Sequence, residues 1–459
     1  MHTHALLFGP VRPAILRIAL PGMAGMLASS VCSLLDALLL GRDNAQLSAA
    51  VSVSYSLLAL IQTIGFTLGM GAGSFVSRSL GSGEKKAAHR AASCALFTAL
   101  ALSAALCAAG FLFTHPLVRL LGASAENCAP AAAYARCVLL TGPMLCASLV
   151  LSSLLRAQGH AAGNMAAFVS GAAAGASLLF LLVGRLHLGI SGAGAAMLVR
   201  EAVTLLVLLA AYRRAGCEVH PRLRDAAPSR RVYADIMRSG LPTLLRQGLM
   251  SLSGALLMRQ SAAFGEASLA GMGLAMRALS LVSSAVIGFG QGFQPVCGAS
   301  FGAGRMDRAA QAYRFCMRCV VIALLLLSLP LFLFAPALLA PFRPDAQASA
   351  FAVRVLRAQS VVLFAQGAVI MMNMLTQAMG FTLRASIIAT SRQGYVLIAL
   401  LLVLPRVSGE TGLILCQSVS DILSLLLCFV LSRPCLDAQR IKGCACVRGG
   451  YSGARKASR

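Results

Sequence analysis

Three of the fourteen Asp and Glu residues stand inside long apolar runs: Asp36, Glu201 and Asp421. A carboxyl group held in hydrocarbon is costly unless it has a partner or water, so its default reading is functional. The chemistry open to it is proton or cation exchange, because low dielectric disfavours the charged form and brings proton uptake toward the physiological range. Asp36 closes the run PAILRIALPGMAGMLASSVCSLLDALLLGR, and Leu38–Leu40 carry the apolar character beyond it. Pro21 lies early in the same run; proline removes one helical hydrogen bond and kinks the chain, which makes it a candidate hinge. Glu201 is preceded by Arg200. Neighbours on a helix point about 100° apart, so the two need not pair. Two readings stay open: Arg200 modulates the proton affinity of Asp36, or Arg200 and Glu201 form a structural polar cluster.

A second group of polar residues sits in apolar surroundings without any acid: Arg246, Gln247, Arg277, Gln291, Gln294, Gln366, Asn373 and Gln377. Amides and guanidinium groups among Met and Leu suit a cleft that orients small amphipathic molecules. Met371, Met372, Met374 and Met379 add the adaptable wall that loose specificity needs. The excess of arginine over acid leaves room for neutral, zwitterionic or anionic substrates. No metal-ligand spacing appears among the 15 cysteines, and no cofactor is expected; Cys444 and Cys446 form a close pair in a basic tail.

The elements that must position these residues are membrane spans. The chain is 58% hydrophobic and only 12% charged, half the charge of an average soluble domain. Twelve runs can be marked, at 14–40, 46–76, 91–113, 128–155, 162–183, 190–211, 240–264, 268–300, 316–340, 355–379, 385–404 and 411–432. Each has about the length of a transmembrane helix. The loops are short and the seven His scattered, which disfavours an enzyme. The net charge of +25 is explained by loops on the inner side of a membrane, without nucleic acid. Most of the 39 Lys and Arg, Arg392 included, fall in segments that lie inside if the N-terminus does. Both termini are therefore expected in the cytoplasm.

The chain also repeats itself. Pro21 and Pro242 are 221 positions apart, and the same step takes Gly69, Gly71, Gly81 and Gly83 to Gly290, Gly292, Gly302 and Gly304. It takes Gly159 to Gly380, and near the ends of the halves Glu201 corresponds to Asp421. Six spans per half give both halves the same orientation, hence parallel repeats about an axis along the membrane normal. The expected fold is an all-α polytopic membrane protein, with twelve transmembrane helices in two six-helix lobes. Its parts are an N-terminal lobe (1–211), a cytoplasmic linker (212–238), a C-terminal lobe (239–432) and a basic cytoplasmic tail (433–459). Two facing lobes enclose a cleft and expose it to each side in turn by rocking.

The stretches LPGMAG…SLLDALLLGR, LGMGAGSFVSRSLGSGE, SGLPTLLRQGLMSL and IGFGQGFQPVCGASFGAGRMDRA resemble the multidrug and toxic compound extrusion family, in particular its MepA-like bacterial branch. The resemblance implies a V-shaped pair of lobes and export of drugs or metabolites driven by protons or sodium. It places the coupling carboxylate of the N-terminal lobe on Asp36 and the bend of the first helix on Pro21. The Asn and Asp that the fifth helix usually supplies are missing from GASLLFLLV. A sodium ion needs several oxygen ligands, so protons are the expected coupling ion and sodium the alternative. A lipid-linked glycan flippase of the same superfamily is the other transporter reading. The expected setting is the bacterial inner membrane, with a small-molecule substrate, the lipid bilayer and the monomeric state.

Overall fold

The structure is a computed structural model that describes residues 9–43, 45–121, 128–214, 216–225, 229–342 and 345–436; the side chains of residues 36–55, 341 and 433–436 lie outside the described set. The described residues are almost wholly helical, as a chain in lipid must be when every backbone polar group has to be satisfied within its own segment. In chain order the spanning helices are α1 (Val11–Asp43), α2 (Ala45–Gly81), α3 (Lys85–Leu112), α4 (Cys128–Ala157), α5 (Ala161–Leu179, extended by a π turn Phe180–Arg185) and α6 (Gly189–Arg214). The second half supplies α7 (Arg230–Ala263), α8 (Glu266–Gly302), α9 (Met306–Leu333) and α10, which is bent by 59° between Ala346–Val361 and Leu363–Ala378. The final pair is α11 (Thr382–Thr390, a π turn Ser391–Tyr395, then 396–408) and α12 (410–436). Helical hydrogen bonding runs continuously from α11 into α12, but Gly409, at φ 58° and ψ −137°, breaks the direction there.

Among the described residues nine helices are long and apolar enough to cross a membrane, or ten with bent α10 taken as one span. One of them, the stretch Thr382–Ser432, holds two spans divided at Gly409. The twelfth is α7, whose 34 residues are long enough but diluted by Arg246 and Gln247. The fold is therefore twelve helices in two six-helix lobes.

Two cores hold the lobes together. One is built from residues 57–236, the other from α7–α12. The second core also takes in Val11, Ile15, Ile18 and Ala19, so the beginning of α1 is buried against the opposite lobe. The segment between α6 and α7 is strapped to the first lobe. Gln158 Nε2 donates to Tyr212 Oη at 2.8 Å, and the Val219 amide donates back to Gln158 Oε1 at 2.8 Å. Lys85 and Glu218 close an ion pair at 2.9 Å.

The repeated glycines do the same work twice. Gly69 faces Leu149 and Ser153 of α4, and Gly290 faces Met374 of α10, each within its lobe. Gly71 abuts Ile236, which belongs to the first core, and Gly240 of the other lobe, while Gly292 abuts Ala19. A Cβ on Gly81 would stand 2.1 Å from the Ala299 carbonyl oxygen, and one on Gly302 2.1 Å from that of Arg78. Gly83 (φ 82°) and Gly304 (φ 72°) make the left-handed turns that follow α2 and α8, a conformation costly for residues with a Cβ.

Candidate functional site

The lobes meet along a seam at the end of the molecule that holds the start of α1 and the ends of α2 and α8. Its contacts are close backbone approaches paired by the internal repeat: Gly81 with Ala299 and Gly302 with Arg78, then Gly71 with Gly240 and Gly292 with Ala19. Ser77 and Gly298, themselves repeat mates, touch each other, and Ser77 Oγ donates to the Pro295 carbonyl at 2.9 Å. A Cβ on Gly22, next to Pro21, would stand 3.0 Å from the Gly288 carbonyl oxygen. Further along the same pair of helices, Ser30 Oγ donates to Ser284 Oγ at 2.7 Å. Small residues allow this approach; any side chain would hold the backbones apart.

An arginine latches the seam. Arg78 crosses from α2 and donates to the Ala378 carbonyl at 3.1 Å, the Gln377 carbonyl at 3.4 Å and Ser239 Oγ at 2.9 Å. These acceptors lie at the end of α10 and on α7, so Arg78 ties α2 to two helices of the other lobe. Its repeat mate is Ala299, which explains why the latch is made once only.

The first-lobe candidates are in part visible. Asp36 lies within α1, but its side chain is outside the described residues. One turn earlier, Cys32 Sγ donates to the Ala172 carbonyl of α5 at 3.6 Å, so this part of α1 lies on α5. α1 runs unbroken through Pro21. Arg200 and Glu201 do pair, with Nε and Oε1 3.2 Å apart, although neighbours on a helix point about 100° apart. The long arginine side chain bends back over its own helix because Gly175 of α5 leaves room for it, 2.9 Å from the position a Cβ would take. Arg200 also lines a cavity of about 30 Å³ with Tyr134 and Met197.

The second lobe holds a polar centre built around Asp421, which is fully buried on α12. Arg392 Nε donates to Asp421 Oδ1 at 2.6 Å, and Gln359 Nε2 donates to Oδ2. Gln417 Nε2 approaches Oδ1 at 3.5 Å, and Ser418 Oγ donates to Gln359 Oε1 at 3.2 Å. Arg392 sits in the π turn of α11, where Gln393 and Gly394 leave helical geometry. That break is held by Ser253 Oγ of α7, which donates to the Gln393 carbonyl at 2.7 Å, and by Ser420 Oγ, which donates to the Arg392 carbonyl at 2.7 Å. Arg392 therefore lies inside a span, where the charge count over the sequence had placed it in an inner segment. Arg246, half-buried on α7, lies within electrostatic range of it.

The remaining candidates divide. Gln294 Nε2 donates to Gln377 Oε1 at 3.1 Å, and Gln377 Nε2 donates to Thr243 Oγ1 at 2.9 Å, a buried chain across α8, α10 and α7. Gln366 Nε2 donates to Ser283 Oγ, again between α10 and α8. Gln291 is buried on α8, and Asn373 Nδ2 reaches the Ala385 carbonyl at 3.4 Å. Gln247 is half-buried on α7, and Arg277 is exposed on α8. Arg392 and Gln359 escaped the reading of the sequence because they stand on other helices than Asp421 and meet it only in space; the broken pattern SRQGY, and Gln417 one turn before Asp421 on α12, were the local signals.

Comparison with known proteins agrees with this architecture. The MatE family model matches residues 21–196 and again 242–402, starting at the two repeat-related prolines. The chain is 24% identical over 433 residues to the multidrug export protein MepA of Staphylococcus haemolyticus, covering 91% of this chain and 93% of that one. It is 22% identical to MepA of Staphylococcus aureus strain MSSA476, covering 92% and 94%. A solved structure described as the outward-facing conformation of a multidrug resistance MATE family transporter of the MOP superfamily superposes with a TM-score of 0.90 at 25% identity, over 95% of this chain and 98% of that one. A MOP superfamily transporter from Pyrococcus furiosus superposes with a TM-score of 0.89 at 24% identity, over 95% and 98%.

Proposed function

Since the chain belongs to the MatE family of multidrug efflux transporters, we propose that it is a secondary antiporter that expels small amphipathic compounds by alternating access, driven by proton influx through Asp36. The observation that carries this reading is the seam itself. Two bundles related by an internal repeat touch through glycine backbones, with one arginine latch. Such a contact can part with few side chains to disengage, apart from the start of α1 that is buried in the second core. The basic segments flank the sealed end, which supports a cytoplasmic setting for that end and both termini and an outward-facing reading of this conformation. The membrane is the bacterial inner membrane, and the protein works as a monomer with lobes 1–211 and 239–432 joined by 212–238. Asp36 takes up a proton from outside, and its neutralisation loosens α1 near Pro21 and favours release of substrate.

Protons are preferred over sodium because the stretch GASLLFLLV of the fifth helix offers neither carboxylate nor amide. The amides and arginines of the second lobe, Arg246 foremost, face substrate when the lobes separate, with Gln247, Arg277, Gln291, Gln294, Gln366, Asn373 and Gln377 as supporting groups. Arg246 and Arg392 beside a single acid favour neutral, zwitterionic or anionic substrates over dications.

The test is efflux from proteoliposomes with proton and sodium gradients imposed separately, for the native protein and Asp36→Asn. A proton gradient alone is expected to drive efflux and the variant to lose it. Efflux driven by sodium alone, or unchanged in the variant, contradicts the coupling.

A further inference from the structure

A cavity of about 580 Å³ lies outside the seam, between the start of α1 and one face of α9. Its α9 wall is a regular helical stripe in which Arg314 and Arg318 come first and Ile322 and Leu326 follow. From Arg318 to Leu326 is eight residues, about 12 Å along a helix. The opposite wall supplies Arg12, whose guanidinium sits 5.8 Å from the centroid of the Phe315 ring and is oriented by it. No acid is among the lining residues, so three cations converge at one end of the cavity. At the other end Ile322 and Leu326 are exposed, and they continue into exposed Leu325, Leu329 and Leu333.

A cationic mouth that grades into a bare apolar stripe over about two helical turns has the profile of a phospholipid, phosphate first and acyl chain after. We propose that this cavity binds the headgroup of an anionic phospholipid, with Arg12, Arg314 and Arg318 on the phosphate and Phe315, Ile322 and Leu326 along the chain. Basic pockets between membrane helices bind such headgroups, and each arginine near the surface contributes attraction to anionic lipid. Arg12 comes from α1 and the other two from α9, so the lipid bridges the two halves of the chain. It favours the sealed conformation, in which the start of α1 is held against the second core. A zwitterionic lipid offers no net charge to the three cations and binds less well.

The experiment uses the purified full chain in neutral detergent and a fluorescent phosphatidylglycerol, with phosphatidylcholine and inorganic phosphate as comparisons. The native protein is expected to bind phosphatidylglycerol at least tenfold more tightly than phosphatidylcholine. Arg314→Gln with Arg318→Gln is expected to weaken that binding about 30-fold, at roughly fivefold per arginine. Arg12→Gln is expected to cost about fivefold on the same basis. The Arg314→Lys with Arg318→Lys variant keeps the charge and is expected to retain most of the affinity, which separates recognition from misfolding. Arg119→Gln with Arg185→Gln removes the same charge from exposed positions elsewhere and is expected to change nothing. Equal affinity for the two lipids, or equal loss in both glutamine pairs, overturns the assignment. Full displacement by millimolar inorganic phosphate overturns it as well and makes the site one for the free anion. Unchanged binding in Arg12→Gln removes the bridge between the halves.

Discussion

Adding one methyl group to the seam should open it. A Cβ on Gly81 would lie 2.1 Å from the Ala299 carbonyl oxygen and 2.8 Å from the carbonyl carbon; on Gly302 it would lie 2.1 Å from the Arg78 carbonyl oxygen. Both obstacles are backbone, so no rotamer change relieves them. Over-packing of this kind costs about 1–3 kcal/mol. Only the sealed conformation bears that cost, so Gly81→Ala or Gly302→Ala should shift the open-to-sealed ratio by roughly 5- to 150-fold. Ser77→Cys supplies the reporter, because Ser77 is buried at the centre of the seam. Alkylation of that cysteine by a polar maleimide, read by peptide mass spectrometry, should rise with the open fraction. Cys146 is buried within the first lobe and should stay unmodified. Gly273→Ala is the matched control, since a Cβ there meets nothing within 4 Å. Unchanged labelling in both Gly81→Ala and Gly302→Ala would refute the idea that the seam is a reversible backbone contact. Equal increases at Ser77→Cys and Cys146 would show general unfolding instead.

Three other outcomes are expected. Arg78→Ala removes the latch to Ala378 and Ser239; at about 1.5–3 kcal/mol for hydrogen bonds from a charged donor, it should raise labelling of the same Ser77→Cys reporter by tenfold or more. Asp421→Asn leaves Arg392 buried beside a neutral partner and should destabilise the protein by about 3–5 kcal/mol, seen as a lower thermal midpoint in detergent; Asp421→Asn combined with Arg392→Gln should recover part of it. Cys217, in the strap between α6 and α7, has its thiol pushed up to about 11 by burial. Thiolate is the reactive form, so at pH 7 it should alkylate about 100-fold more slowly than an ordinary thiol. Its rate should rise about tenfold per pH unit until the pH nears 11, when followed by mass spectrometry.

The sequence by itself determined the elements and their duplication. Apolar runs long enough to cross a bilayer admit little except helices, and a 221-residue step that maps Pro21, Gly69, Gly71, Gly81 and Gly83 onto their mates already states that one half copies the other. It also showed that Arg246 and Gln247 lie inside a span, where polar groups must have a reason to be. Only the tertiary structure decided what those repeated glycines touch. Gly69 and Gly290 pack within their lobes, whereas Gly81 and Gly302 lie about three turns further along α2 and α8 and meet the opposite lobe. Nothing local separates the two cases, because a missing side chain records a close approach without recording its partner. The same holds for Asp421. Its partners Gln359 and Arg392 stand on two other helices, α10 and α11. Charge pairing acts over a few ångströms in space, and sequence order does not carry that distance. Even Arg200 and Glu201, adjacent in the chain, were brought together by the space that Gly175 leaves on another helix.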